Sequence, residues 1–160
     1  MTTDKLYEAL GIDNNLKPLP ATHKSSAADQ TFTAIIEPAL PSETNQFKAV
    51  EFWYEKFTPR TISVLGRSDA DAKMKQISIL INEHTPDGTY EVSDFQGGDV
   101  RAVLFADGVF THARKGSVTF KRNTTNNSIE GTADFKIDFG EGVEYRVSQV
   151  EFKVKATGPL

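Results

Sequence analysis

The chain has 160 residues, 18 Lys and Arg against 22 Asp and Glu for a formal net charge of −4, and no cysteine. That length suits one domain with a core of its own, and the missing cysteine excludes disulfides, thiolate metal sites, Cys nucleophiles and a lipidated cysteine within this sequence. The basic residues are scattered among a larger number of acidic ones, which argues against a nucleic-acid surface.

No window approaches the roughly 18 apolar residues of a membrane span. The start, Met1-Thr2-Thr3-Asp4-Lys5, lacks the basic opening and apolar run of a secretory signal. The expectation is a cytoplasmic protein, with export by a signal-less route left open.

Residues 1–42 read as an N-terminal arm. They hold four of the seven prolines and a polar stretch over 21–30. Thr2 or Thr3 is placed to cap a short helix with Leu6, Ala9 and Leu10 on one side and Gly11 as its stop. Leu16-Lys17-Pro18-Leu19-Pro20 reads as an extended connector, and Thr31-Phe32-Thr33-Ala34-Ile35-Ile36-Glu37 as a strand ending before Pro38.

Residues 43–160 read as an antiparallel β domain. Strand-like segments fall near 47–55, 60–66, 74–82, 88–93, 100–106, 109–113, 116–121, 129–139, 143–148 and 150–156. The pattern is plainest at Ile129, Gly131, Ala133, Phe135 and Ile137, which alternate with Glu130, Thr132, Asp134, Lys136 and Asp138. Side chains in a strand point alternately to opposite faces, so one face meets a core and the other meets water. Spacing of about 8–12 residues between turn signals predicts an all-β antiparallel sandwich or flattened barrel of about 8–10 strands, preceded by the arm and its short helix.

Pro86-Asp87-Gly88, Ala106-Asp107-Gly108 and Gly140-Glu141-Gly142 supply turn chemistry. Asp69-Ala70-Asp71-Ala72-Lys73-Met74 reads as one helical turn or a hairpin loop. Gly116 and Gly131 mark places where a bulge or a bulky neighbour needs the Cβ removed, and Tyr90, Phe120, Phe135 and Phe152 fall on core faces.

Gly88-Thr89-Tyr90, Gly116-Ser117-Val118-Thr119, the run from Ile129 to Phe135, and Val150-Glu151-Phe152-Lys153-Val154 together resemble a group of small bacterial β-domains of unknown function. These domains have a lipocalin-like or sandwich fold and occur often in lipoproteins. The resemblance covers about Phe47 to Ala156, and the chain departs from the group in lacking a lipidated cysteine. It implies a fold and no chemistry.

No catalytic constellation emerges. His23, His84 and His112 lie far apart and outside any zinc spacing. Ser117 has no nucleophile elbow around it, and Asp138-Phe139-Gly140 stands without the other kinase motifs. Asp69 with Asp71, or Asp138 with Glu141 and Glu144, do not follow a calcium loop and read as solvated turns. Asn123-Thr124-Thr125 and Asn126-Asn127-Ser128 read as a polar hairpin loop. The sequence therefore predicts no enzyme, no cofactor and no metal.

Phe52-Trp53-Tyr54-Glu55-Lys56-Phe57 places aromatic rings on both faces of one strand, and each face needs a cover. With Phe52 and Tyr54 in the core, Trp53 and Phe57 lie outward, under the arm or a second sheet, a protein partner, or a ligand. Trp53, Tyr54 and Phe57 are thus the candidate binding residues. The leading reading is a non-enzymatic interaction or assembly module, acting on a protein partner or on itself through sheet edges and the arm. The alternative is a carrier of an apolar or sugar ligand, with Tyr90, Phe105 and Phe110 lining a pocket. An enzyme ranks third.

Overall fold

The computed structural model describes residues 9–10, 30–37, 46–68, 75–92, 99–106, 109–138, 144–158 and 160. They form eleven strands: β1 (Thr31–Glu37), β2 (Gln46–Lys48), β3 (Glu51–Thr58), β4 (Thr61–Arg67), β5 (Gln76–Asn82), β6 (Gly88–Glu91), β7 (Val100–Ala106), β8 (Val109–His112), β9 (Lys115–Asn123), β10 (Ser128–Asp138) and β11 (Glu144–Lys155). These pair antiparallel into a six-stranded sheet, β2-β1-β11-β10-β9-β6, and a five-stranded sheet, β3-β4-β5-β7-β8. The sheets do not close into a barrel, so the architecture is a sandwich.

The inner faces follow from the alternation. Phe32, Ala34 and Ile36 of β1, Phe120 of β9, Ile129, Phe135 and Ile137 of β10, and Phe152 and Val154 of β11 meet Phe52, Tyr54, Val64, Ile77, Ile79 and Leu104 of the other sheet in one core. Phe32 stacks on Phe152 with centroids 5.5 Å apart, and Tyr90 stacks on Phe120 at 5.7 Å. The expected core positions Tyr90, Phe120, Phe135 and Phe152 all belong to this cluster, Tyr90 as a partly buried member.

The strand expected over 31–37 is an inner strand of the six-stranded sheet, with β2 on one side and β11 on the other. The segments expected at 143–148 and 150–156 are a single strand. Val147 and Val150 both face the core, and of the two residues between them Gln149 has φ 50°. The pairing of β11 with both neighbours shifts register there, so the extra residue is absorbed as a bulge and the alternation restarts beyond it.

Gly131 has the role expected of it. A Cβ there would lie 2.2 Å from the Thr119 carbonyl oxygen and 2.5 Å from Cζ of Phe152, so the missing side chain is what lets the ring cross the strand. At Gly116, φ is 143° and a Cβ would meet the Asp134 carbonyl oxygen at 2.2 Å.

Among the described residues, main-chain hydrogen bonds stitch the sheets together at the following places. The main-chain N–H of Ala49 donates to Phe32 O and that of Val50 to Arg67 O, carrying the chain from β2 to β3. Ala113 N–H donates to Ala102 O and Arg114 N–H to Lys136 O, carrying it from β8 to β9. Beyond β11, Thr157 N–H donates to Tyr54 O and Thr157 Oγ1 accepts from Tyr54 N–H, which covers part of the free edge of β3.

The turn at 69–74, residues 107–108 of the turn after β7, the turn at 140–142, His23, and the N-terminal helix apart from Ala9 and Leu10 lie outside the described residues. Among the described residues no helix is long and apolar enough to cross a membrane.

Candidate functional site

The two sheets have unlike outer faces. On the six-stranded sheet most outward positions are polar and open to solvent: Lys121, Glu130 and Lys153 stand side by side in register, and Arg146 donates to both carboxylate oxygens of Asp134, at 2.7 and 3.2 Å. This is the hydrophobic-in, polar-out arrangement of a sheet with one side in water.

On the five-stranded sheet most outward positions are buried too, with Glu51, Phe110 and His112 half-buried at its margins. Every residue of β4 and of β7 is buried. Register sets the outward side chains in three transverse rows: Glu51, Arg67, Gln76, Phe105 and Phe110; Trp53, Leu65, Ser78, Val103 and His112; and Glu55, Ser63, Leu80 and Arg101. Leu80, Val103, Phe105 and Phe110 form a second apolar cluster on this side, and the residues that complete it are Ala9 and Leu10, 0% and 1% exposed.

Polar side chains of the face hold the N-terminal segment by its main chain. Ser63 Oγ donates to the Ala9 carbonyl at 2.7 Å, and Gln76 Nε2 donates to the Leu10 carbonyl at 2.5 Å and to Ser78 Oγ at 3.0 Å. Gln76 Oε1 in turn accepts from Nε and Nη2 of Arg67, at 2.9 and 2.6 Å. The Arg67 guanidinium lies 4.6 Å from the centroid of the Trp53 ring, a cation–π stack in a desolvated setting. Burial pulls the Arg67 guanidinium below its ordinary pKa, against the pull of Glu51, and burial does the same at Arg101. A weakly hydrated planar cation tolerates such a position better than an ammonium group.

The candidate residues Trp53, Tyr54 and Phe57 separate accordingly. Trp53 is on the covered face, 4% exposed. Tyr54 points the opposite way, into the inter-sheet core. Phe57 is half-buried and sits where the pairing of β3 with β4 shifts register between Glu55 and Thr58. The rings expected to share a pocket also divide: Tyr90 belongs to the inter-sheet core, Phe105 and Phe110 to the cluster on the covered face.

Arg67, Gln76 and Ser63 carry this face, and none was singled out by motif. Their signal lies in the consecutive apolar residues Ile79-Leu80-Ile81 and Val103-Leu104-Phe105, which mark strands buried on both sides.

A second concavity opens at the end of the sandwich near Tyr54. It is a cleft of about 370 Å³ between the β3–β4 side and the β9–β10 hairpin, with Ile62, Lys56, Glu83, Arg122 and Asn127 in its wall. Lys56 Nζ donates to Glu83 Oε2 at 2.6 Å. Arg122 Nε donates to Asp87 Oδ1 at 3.1 Å, and its Nη2 donates to the Thr85 carbonyl. The hairpin is a polar loop, as its Asn-rich sequence implies: Asn123 Oδ1 accepts from the main-chain N–H of Thr125 and Asn126, and Asn127 takes φ 52°. His84 is exposed beside Glu83, and His112 meets Phe110 edge-on at 6.3 Å. Among the described residues no three His, Asp or Glu converge as metal ligands.

No protein-family model matches the chain, and neither does any curated protein or solved structure.

Proposed function

We propose that this chain is a non-enzymatic assembly module, whose N-terminal segment packs on the outer face of the five-stranded sheet of a second copy as well as on its own. The observation that carries the reading is the way Ala9 and Leu10 are held: two side chains reach their carbonyls and a small apolar cluster receives Leu10. Two carbonyl hydrogen bonds and one apolar side chain, the contacts that Ala9 and Leu10 make, can be repeated unchanged on the equivalent face of a second copy. The nineteen residues between Leu10 and Gln30 span at most about 65 Å when extended, enough to reach a neighbour.

Exposed strand edges offer a poorer route. β2 and β6 have three and four residues, and Thr157 covers part of β3. Trp53, in the middle row of the covered face on its edge strand β3, is the side chain this association depends on.

Light scattering over a range of concentrations, together with co-purification of two differently tagged copies, tests the proposal. The expected result is concentration-dependent association that Leu10→Asp and Trp53→Ala both weaken in proteins that still fold. A chain that stays monomeric throughout and never captures its tagged counterpart overturns it.

A further inference from the structure

Tyr54 is 2% exposed, yet among the described residues nothing hydrogen-bonds to its hydroxyl; its only hydrogen bonds run through its main chain to Thr157. The oxygen itself keeps contact with solvent and is a donor left free at the wall of the cleft between β3 and the β9–β10 hairpin, which the residue lines. Burial pushes the phenol above its ordinary pKa, with Asp87 adding to the rise and Arg122 opposing it, so the group is a neutral donor at physiological pH.

The rest of the wall says what kind of molecule the donor serves. Its cations already have partners: Lys56 is on Glu83, and Arg122 is on Asp87 and the Thr85 carbonyl. An incoming anion would have to compete with those carboxylates, so the cleft has donors and acceptors in balance and little net charge. Ile62 and the Tyr54 ring supply an apolar wall, and the exposed Thr124 and Asn127 side chains bring further polar groups at the rim. Paired charges beside an apolar wall and an unused hydroxyl suit a molecule with hydroxyls on its edge and C–H groups on its face. The volume lies near the lower end of the range for small-ligand sites, about 300–1,000 Å³.

We infer that this cleft binds a small neutral carbohydrate, with the Tyr54 hydroxyl donating to a sugar oxygen and the Glu83 carboxylate and Asn127 amide completing its recognition. This site is independent of the arm-covered face, which lies on the other side of the five-stranded sheet.

The test is a ¹⁵N–¹H NMR titration of the full chain with glucose, galactose, mannose and N-acetylglucosamine, one at a time, and with sodium phosphate and sodium acetate as anionic controls. Saturable shifts are expected for at least one sugar, centred on the amides of Glu83, His84, Thr124 and Asn127 and insensitive to added salt. Tyr54→Phe removes only an oxygen to which nothing among the described residues is bonded, and should weaken that sugar about tenfold. Asn127→Gly keeps the left-handed backbone, removes the amide, and should also weaken it. Four results overturn the inference: no saturation by any of the sugars at about 50 mM, where a site with a Kd of about 1 mM would be filled; saturation only by the anions; shifts that map elsewhere; or a folded Tyr54→Phe protein with unchanged affinity.

Discussion

Replacing Leu10 by Ala tests the covered face directly. Leu10 is 1% exposed and sits against Leu80, Val103 and Phe105, so truncation removes nearly a full side chain of buried apolar contact. In a closed core that change costs about 2–5 kcal/mol. Here the lower part of the range applies, because Leu10 belongs to the cluster on the outer face and not to the core between the sheets. The docked state then keeps the two hydrogen bonds to the Ala9 and Leu10 carbonyls, each contributing about 1 kcal/mol. A loss of about 2.5 kcal/mol raises the undocked population about sixtyfold.

The chain's single tryptophan reports the change. Trp53 pairs with Leu65 across β3 and β4, which makes it the diagonal neighbour of Ser63 beneath the Ala9 carbonyl. Acrylamide quenching of its emission should rise in Leu10→Ala, the emission should shift to the red, and the urea midpoint should fall while the far-ultraviolet circular dichroism keeps its β shape. If quenching and midpoint both stay at the values of the unmodified protein, the reasoning that residues 9 and 10 cover this face is refuted.

Gln76→Leu removes the oxygen that accepts from two Arg67 N–H groups within a desolvated layer, and should destabilise the fold by about 3 kcal/mol in urea unfolding. Adding Arg67→Met should recover most of that loss, and a double variant no more stable than the single one would show that the pair does not act as a unit. Gly131→Ala drives a Cβ to 2.2 Å from a main-chain oxygen that cannot swing aside, so its urea midpoint should drop by the equivalent of about 1–3 kcal/mol; an unchanged midpoint would contradict the close passage of Phe152. Alkaline pH should act through Tyr54. Its folded pKa lies above the ordinary 10.0, so its contribution to stability is complete below pH 10 and is lost as pH rises through the folded value. The unmodified protein should therefore lose more stability above pH 10 than Tyr54→Phe does, and parallel pH profiles for the two would show that burial does not hold this proton.

Much of the sandwich is determined by residues close together in the sequence. Two-residue alternation from Ile129 to Ile137 and from Phe32 to Ile36 selects strands and their inner faces, because a pleated chain has only two sides. Gly131 announces a close approach, and the Asn-rich loop at 123–127 announces a reversal, since both act on the backbone where they stand. A bulge escapes such reading: Gln149 shows its role only when Val147 and Val150 are seen to share a core with β1 and β10 on either side.

The outer face of the five-stranded sheet belongs wholly to tertiary structure. The doubled aromatic run at Phe52-Trp53-Tyr54 shows that the second side needs a cover, but Arg67 and Gln76 look like ordinary polar residues until register sets them opposite each other and Leu10 arrives from 66 residues away along the chain. The cleft at Tyr54 has the same origin, since β3, β4, the turn after β5 and the β9–β10 hairpin meet there only after the two sheets pack. Local pattern decides which way a side chain points; what it points at is set by long-range packing, which no short stretch of sequence contains.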